Sequence, residues 1–143
     1  MKVKNLSKPI YNQEFDCWKS KLEINSNYSI DITIETENYQ IIQINQSNHH
    51  IILTKITEII QQETNIRFST ANKLLDLYNR SWNDKANIDC QTFSRQLKLK
   101  EIMFNIDKNS FQFWYDDGNL FLGHTIFVDV DADGLFQDAG IVG

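Results

Sequence analysis

Proline and cysteine are nearly absent from this chain. One proline, Pro9, and two cysteines, Cys17 and Cys90, occur in 143 residues. Two cysteines so far apart build no disulfide framework and lack the spacing of a zinc site, so both read as buried thiols. Histidine is scarce too, at three, which limits what imidazole can do here as ligand or base. No apolar run approaches the roughly 20 residues needed to cross a bilayer as a helix. The N-terminal MKVKNLSKPI has basic residues but no apolar stretch after them, unlike a secretory leader. The expectation is a cytoplasmic protein without membrane contact. Internal repeats and low-complexity linkers are also missing.

What is present suits a soluble globular protein, with 41% hydrophobic and 23% charged residues. The length reads as one domain over residues 1–143, with residues 1–13 as a loose N-terminal arm around Pro9. Charge is unevenly placed. Residues 107–143 hold seven Asp against Lys108, −7 + 1 = −6, whereas residues 1–106 carry 13 basic and 12 acidic groups, or +1. Such an acidic region repels phosphate backbones and attracts basic surfaces, so a protein partner is expected and nucleic acid is not. Aspartates that merely serve turns are the competing explanation.

Periodicity places the elements. Phe15–Ile24 reads as a strand with Trp18, Leu22 and Ile24 on its apolar side, and Asn25-Ser26-Asn27 as a turn. Tyr28–Glu35 alternates Tyr28, Ile30, Ile32 and Ile34 against polar residues, as a half-buried strand does. Tyr39–Ile44 fits strand or helix equally. Ile52, Ile56, Ile59 and Ile60 fall on one helical face between Ser47 and Glu63, and Asn65–Ser69 reads as an interruption with Ser69 capping a second helix. Ala71, Leu74, Leu75, Tyr78 and Trp82 share that second helix's face. Asp89 reads as the N-cap of a short third helix with Cys90, Phe93 and Leu97 together.

The period then returns to two, at Ile102, Phe104 and Ile106 and again at Phe111, Phe113 and Tyr115. Asp116-Asp117-Gly118-Asn119 signals a tight hairpin, followed by a strand over Leu120–Val128 that is apolar on both faces and therefore expected at the centre of the sheet. Asp131–Gly134 turns into a last strand near Leu135–Ile141. The class is α+β, an antiparallel sheet built from N-terminal and C-terminal strands, with two or three helices from the middle of the chain on one face.

At YNRSWND (Tyr78–Asp84), QTFSRQL (Gln91–Leu97), FWYDDGNLFLGHTIFV (Phe113–Val128) and DAGIVG (Asp138–Gly143), the chain resembles bacterial domain-of-unknown-function family 2262. That family has an aromatic-rich N-terminal strand, a helical middle ending in a tyrosine-asparagine-x-x-tryptophan-like sequence, and a C-terminal hairpin of the form D-D-G-x-L-F-x-G-H. Asp116–His124 carries the specific match, with Gly118, Phe121, Gly123 and His124 as its structural positions, while Trp18 stands alone where an aromatic pair is usual. The resemblance runs from about residue 15 to the end and lends no catalytic assignment, since the family's function is not established; no cofactor is expected. Small α+β domains of this kind are also similar to bacterial immunity proteins, which implies a cognate toxin domain with a basic surface as partner.

Three candidate chemistries come from the residues themselves. Asp129-Val130-Asp131-Ala132-Asp133-Gly134 matches the opening of a calcium loop, but position twelve is Gly140, not a bidentate Glu, and a strand precedes it. An acidic turn over Asp129, Asp131 and Asp133 is the better reading. His124 next to Asp116 or Asp117 has the makings of an oriented general base, yet no nucleophile, metal site or second histidine accompanies it; a histidine tying the hairpin to a backbone carbonyl explains it more simply. His49-His50 lacks carboxylate or thiol companions. Trp114, beside Asp116 and Asp117, suits an aromatic-plus-acidic hot spot if exposed and is second-face core if buried; Phe121 reads as core.

The expected function is a non-enzymatic binding protein, an immunity protein that covers a toxin through Trp114, Asp116, Asp117, Asp129, Asp131 and Asp133. The alternatives are an enzyme using His124 with Asp116 or Asp117, and a structural accessory domain. The oligomeric state does not follow from sequence.

Overall fold

A computed structural model describes residues 5–36 and 46–143. Its strands are β1 (Asn5–Leu6), β2 (Ile10–Asn12), β3 (Cys17–Asn25), β4 (Tyr28–Glu35), β5 (Lys98–Asn105), β6 (Ser110–Asp116), β7 (Thr125–Val130) and β8 (Phe136–Val142), with α1 (Gln46–Ile60), α2 (Glu63–Leu77) and α3 (Cys90–Gln96) between β4 and β5. They form one sheet in the order β1-β3-β4-β5-β6-β7-β8, and β2 also pairs with β3. The fold is α+β, as the alternation and helical spacing imply. Every pairing is antiparallel except β4 with β5. That one parallel pair follows from the connection, because the helical excursion brings the chain back to the end of the sheet where β4 began.

One face of the sheet carries Leu22, Ile30, Ile32, Ile34, Ile102, Phe113, Tyr115, Ile126 and Val128, all fully buried, and the helices cover it with Ile56, Ile60, Ile66 and Phe93. A bulge between Leu99 and Glu101 shifts the phase of β5, so Leu99 and Ile102 both reach this core. α3 begins where expected. The Asp89 carboxylate accepts a hydrogen bond from the Thr92 amide at 2.7 Å, which holds its pKa below the usual carboxylate range.

The structure corrects four expectations. The segment read as a loose arm contributes β1 and β2, and Ser20 Oγ donates to the Ser7 carbonyl at 2.6 Å while the Lys21 amide donates to Ser7 Oγ at 2.8 Å. Strands this short pair through backbone and show no alternation to read. The second helix starts at Glu63 and runs through Asn65–Ser69, so Ser69 is mid-helix and the break falls at Gln61-Gln62. Burial of Glu63, Ile66 and Thr70 outweighs the weak helix propensity of that polar stretch. The tight hairpin and the strand over Leu120–His124 give way to a loop over residues 117–124, because Gly118, Asn119, Leu122 and Gly123 all have positive φ, which no strand accommodates. Finally, β7 lies second from the sheet edge and buries one face only, through Ile126, Val128 and Val130. Tyr39–Ile44 lies outside the described residues.

A charged pair sits inside this core. Arg67 donates to Glu63 Oε1 through Nε at 2.8 Å and Nη2 at 2.6 Å, the Tyr115 hydroxyl donates to the same oxygen at 3.2 Å, and Glu63 is only 5% exposed. Burial, and then the Glu63 charge, push the Tyr115 hydroxyl well above its ordinary pKa. The folded state therefore holds that proton more tightly than the unfolded chain. Its contribution is complete below the ordinary tyrosine value of about 10 and is lost as pH rises from there toward the folded value. Urea titrations between pH 8 and 11 are expected to show stability falling from about pH 10, with a shallower fall in Tyr115→Phe. Tyr28, raised by burial and then by Glu63, and the thiols of Cys17 and Cys90, raised by burial, add to the slope that remains in that variant.

Candidate functional site

The Asp116–His124 stretch is built around one carboxylate. Asp117, 2% exposed, accepts the Asn119 amide on Oδ1 at 2.9 Å and the amides of Phe121 and Gly123 on Oδ2 at 2.7 and 3.1 Å. Asp116 Oδ1 accepts the Gly118 amide at 2.8 Å. At Gly118, with φ of +56°, an added Cβ would lie 2.3 Å from the Gln96 carbonyl oxygen, so the loop's approach to the end of α3 requires glycine. His124 closes the loop, bonding through Nδ1 to the Phe121 carbonyl.

Phe121, fully buried, is the side chain this cage delivers. It meets Tyr78, Trp82 and Phe93 edge-on at 5.8, 5.3 and 6.1 Å, and Trp82 meets the His124 ring at 5.4 Å. Tyr78 and Trp82 belong to a π-helical turn, Tyr78–Trp82, that extends α2 and is closed by the Asn83 amide on the Tyr78 carbonyl at 2.8 Å. Asn79 ties that turn to the chain before α3 by donating to the Ile88 carbonyl at 3.0 Å and accepting the Ile88 amide at 3.1 Å. The two most distinctive motifs in the sequence, YNRSW and DDGNLFLGH, thus form one contact.

The partner candidates divide. Asp117 is buried within the loop and presents nothing to a partner, a correction to the sequence reading that follows from its three backbone amides. Trp114, Asp116 and Asp129 share the sheet face opposite the helices; Asp116 is exposed, and Asp129 is half-buried and accepts from Gln112 Nε2 at 2.9 Å. Asp131 and Asp133 lie in the β7–β8 turn, where Asp131 accepts the Asp133 and Leu135 amides and the Gln137 side chain. Asp131 is therefore engaged in shaping the turn. Among the described residues no group of three or more His, Cys, Asp or Glu is placed to hold a metal ion. His49 and His50 lie in the first half of α1.

Trp114 is half-buried on that open face. Its indole N–H points to Met103 Sδ at 3.0 Å, and its ring lies 6.1 Å from Phe127. Phe127 in turn lies over Gly140, where an added Cβ would be 2.8 Å from the ring. The register runs Asp31–Glu101–Trp114–Phe127–Gly140 across the sheet. On its β3 side Lys19 bonds Thr33 Oγ1 at 2.7 Å and Thr33 bonds Glu101 at 2.6 Å, and Lys21 pairs with Asp31 at 3.1 Å. Lys19 and Lys21 are therefore matched by carboxylates, whereas Asp116 and Asp129 at the β6–β7 side face no basic partner among the ion pairs of the described residues. Met103, Phe127 and the Glu63–Arg67 pair were not singled out in the sequence; only the i,i+4 spacing of Glu63 and Arg67 was there to be read.

A cleft of about 850 Å³ lies at the β1–β3 margin, lined by Lys8, Ile10, Tyr11, Lys19 and Lys21 among others, and not at the His124 loop. Cys17 is buried and Cys90 half-buried, and burial raises both thiol pKa values. No helix among the described residues is long and apolar enough to cross a membrane.

Together these features define an α+β protein whose C-terminal hairpin is locked to an aromatic helical turn and whose sheet leaves one aromatic face open. The chain belongs to the bacterial family described as uncharacterized protein conserved in bacteria (DUF2262), whose profile matches residues 4–141. No curated protein and no solved structure matches the chain.

Proposed function

We propose that this protein is a non-enzymatic binding domain, an immunity protein that neutralises a cognate bacterial toxin by covering it with the open face of β6, β7 and β8. The observation that carries this reading is the half-buried Trp114–Phe127 pair on that face, with Asp116 and Asp129 beside it. Half-exposed aromatics rimmed by carboxylates suit a hot spot for a basic protein surface, since the rings supply contact area and the charges steer encounter. The excess of −6 over residues 107–143 favours the same class of partner. The alternative, catalysis by His124, draws little support from the loop, where Asp117 is committed to backbone amides and His124 Nδ1 to the Phe121 carbonyl.

The test is binding to the protein encoded by the neighbouring gene. The wild type is expected to bind it with a submicromolar dissociation constant by calorimetry. Trp114→Ala is expected to weaken binding about 30-fold, since truncating a central aromatic anchor costs about 2 kcal/mol or more. Absence of binding at micromolar concentration rejects the reading.

A further inference from the structure

The single proline marks a break in the first edge of the sheet. β1 leaves β3 at the Leu6–Leu22 pair and β2 rejoins it at Ile10–Lys19, so three residues, Ser7, Lys8 and Pro9, stand opposite two, Ser20 and Lys21. The extra residue bows the edge away from β3, as a bulge does, and a proline, with no amide to donate, suits that place. Ser7 keeps β3 satisfied across the break: its amide donates to the Lys21 carbonyl at 2.9 Å and its Oγ accepts the Lys21 amide at 2.8 Å. The bowed edge forms one wall of the cleft of about 850 Å³, and β3 with Asp31 forms the other. That volume suits a small organic ligand.

The polar groups free to meet such a ligand are donors. Three lysines, Lys8, Lys19 and Lys21, line the cleft against one carboxylate, Asp31, or 3 − 1 = +2; Glu101, 3.4 Å from Lys19, brings the balance to 3 − 2 = +1. Lys21 and Asp31 are 69% and 57% exposed in their side chains, and an ion pair so open to water contributes little and is readily re-aimed. Lys8 is exposed and belongs to no ion pair of the described residues. Asn12 Oδ1 already accepts the Glu14 and Phe15 amides, which leaves its NH2 group as a further donor. Ile10, 72% exposed and next to Lys19 in the register, adds an apolar contact.

We propose that this cleft binds a small phosphate monoester with an apolar body, its phosphate among Lys8, Lys19 and Lys21 and its body against Ile10. A phosphate monoester carries about −1.5 to −2 at neutral pH and three acceptor oxygens, so it competes with Asp31 and Glu101 for the lysines better than a single carboxylate does. The acidic residues 107–143 do not oppose it, because β6, β7 and β8 stand at the other end of the strand order. The site is independent of the toxin-covering surface proposed above.

Amide NMR titration of the full chain tests this with phenyl phosphate, and with inorganic phosphate and benzyl alcohol as its separate halves. Phenyl phosphate is expected to shift the amides of Ile10, Asn12, Lys19 and Lys21 with a dissociation constant of about 0.1–1 mM. Inorganic phosphate is expected to bind there about tenfold more weakly, since it lacks the apolar contact, and benzyl alcohol to leave those amides unmoved. Lys8→Gln, which removes an exposed and unpaired charge, is expected to melt like the wild type and to weaken phenyl phosphate about fivefold, as is Ile10→Ser in its binding. Lys85→Gln, in the exposed loop before α3, is the control expected to bind like the wild type. Cleft amides that phenyl phosphate leaves unmoved up to about 10 mM overturn the proposal. Affinity that Lys8→Gln and Ile10→Ser both leave within twofold, or that Lys85→Gln weakens equally, also overturns it. Inorganic phosphate bound as tightly as the ester means an adventitious ion only. Cosedimentation with phosphatidylglycerol vesicles that Lys8→Gln abolishes assigns the phosphate to a lipid surface and overturns the soluble ligand.

Discussion

Asp117→Ala is expected to lower the unfolding free energy by about 3–5 kcal/mol, among the largest losses available to one substitution in this chain. The magnitude follows from what the carboxylate holds. Its two oxygens accept three amides and the residue is 2% exposed; the Phe121 bond is buried and the Asn119 and Gly123 bonds partly so, which places the expectation at the lower end of that range. Bonds to a charged acceptor are worth more than neutral ones, and the stranded amides carry a desolvation penalty. Asp117→Asn keeps one acceptor oxygen and is expected to lose less than Asp117→Ala. Urea midpoints at neutral pH check both. A loss under 1 kcal/mol in the alanine variant means that the loop is held by Phe121 and its aromatic neighbours instead.

Glu63→Ala carries the second large effect, about 3–5 kcal/mol, for a different reason. Glu63 is 5% exposed and is the shared acceptor for Arg67 and Tyr115, so its removal leaves a guanidinium and a hydroxyl facing a low-dielectric interior. The Arg67 side chain keeps 25% of its exposure, which lets solvent recover part of the loss and places the expectation at the lower end of that range. Replacing both partners, as in Glu63→Met with Arg67→Met, is expected to lose less than Glu63→Ala, about 1–2 kcal/mol, because no charge is then left buried alone and only the Tyr115 hydroxyl is stranded. A double-mutant cycle by urea denaturation reads the coupling directly. Equal losses in the single and double variants would show that packing volume, not the pair, is what matters at this site.

Much of the fold was legible. β4 was read with its observed ends, Tyr28–Glu35, because four apolar residues alternate without a break. α3 was legible from Asp89, whose side chain caps it, and β6 from Phe111, Phe113 and Tyr115. Each of these signals is local, and a local rule decides it. The failures share the opposite character. Asn65–Ser69 reads as a break until Glu63 and Ile66 are seen to be buried. Leu120, Leu122 and His124 mimic a strand until the loop's positive φ values put Leu120 and Phe121 in the core together.

The candidate site divides in the same way. The motif Asp116–His124 stood out as sequence, but the role of Asp117 did not, since an aspartate in a turn looks the same whether its carboxylate faces water or three amides. Residue types, spacing and charge by themselves determined an α+β protein, a distinctive C-terminal motif and an acidic end. Only the tertiary structure decided which aspartate is buried, that Tyr78 and Trp82 close on Phe121 and His124, and that Trp114 and Leu122 are left facing outward. These outcomes depend on contacts between segments some forty residues apart, such as Trp82 with Phe121 and His124. Periodicity says which side of an element is apolar; it does not say which other element will cover it.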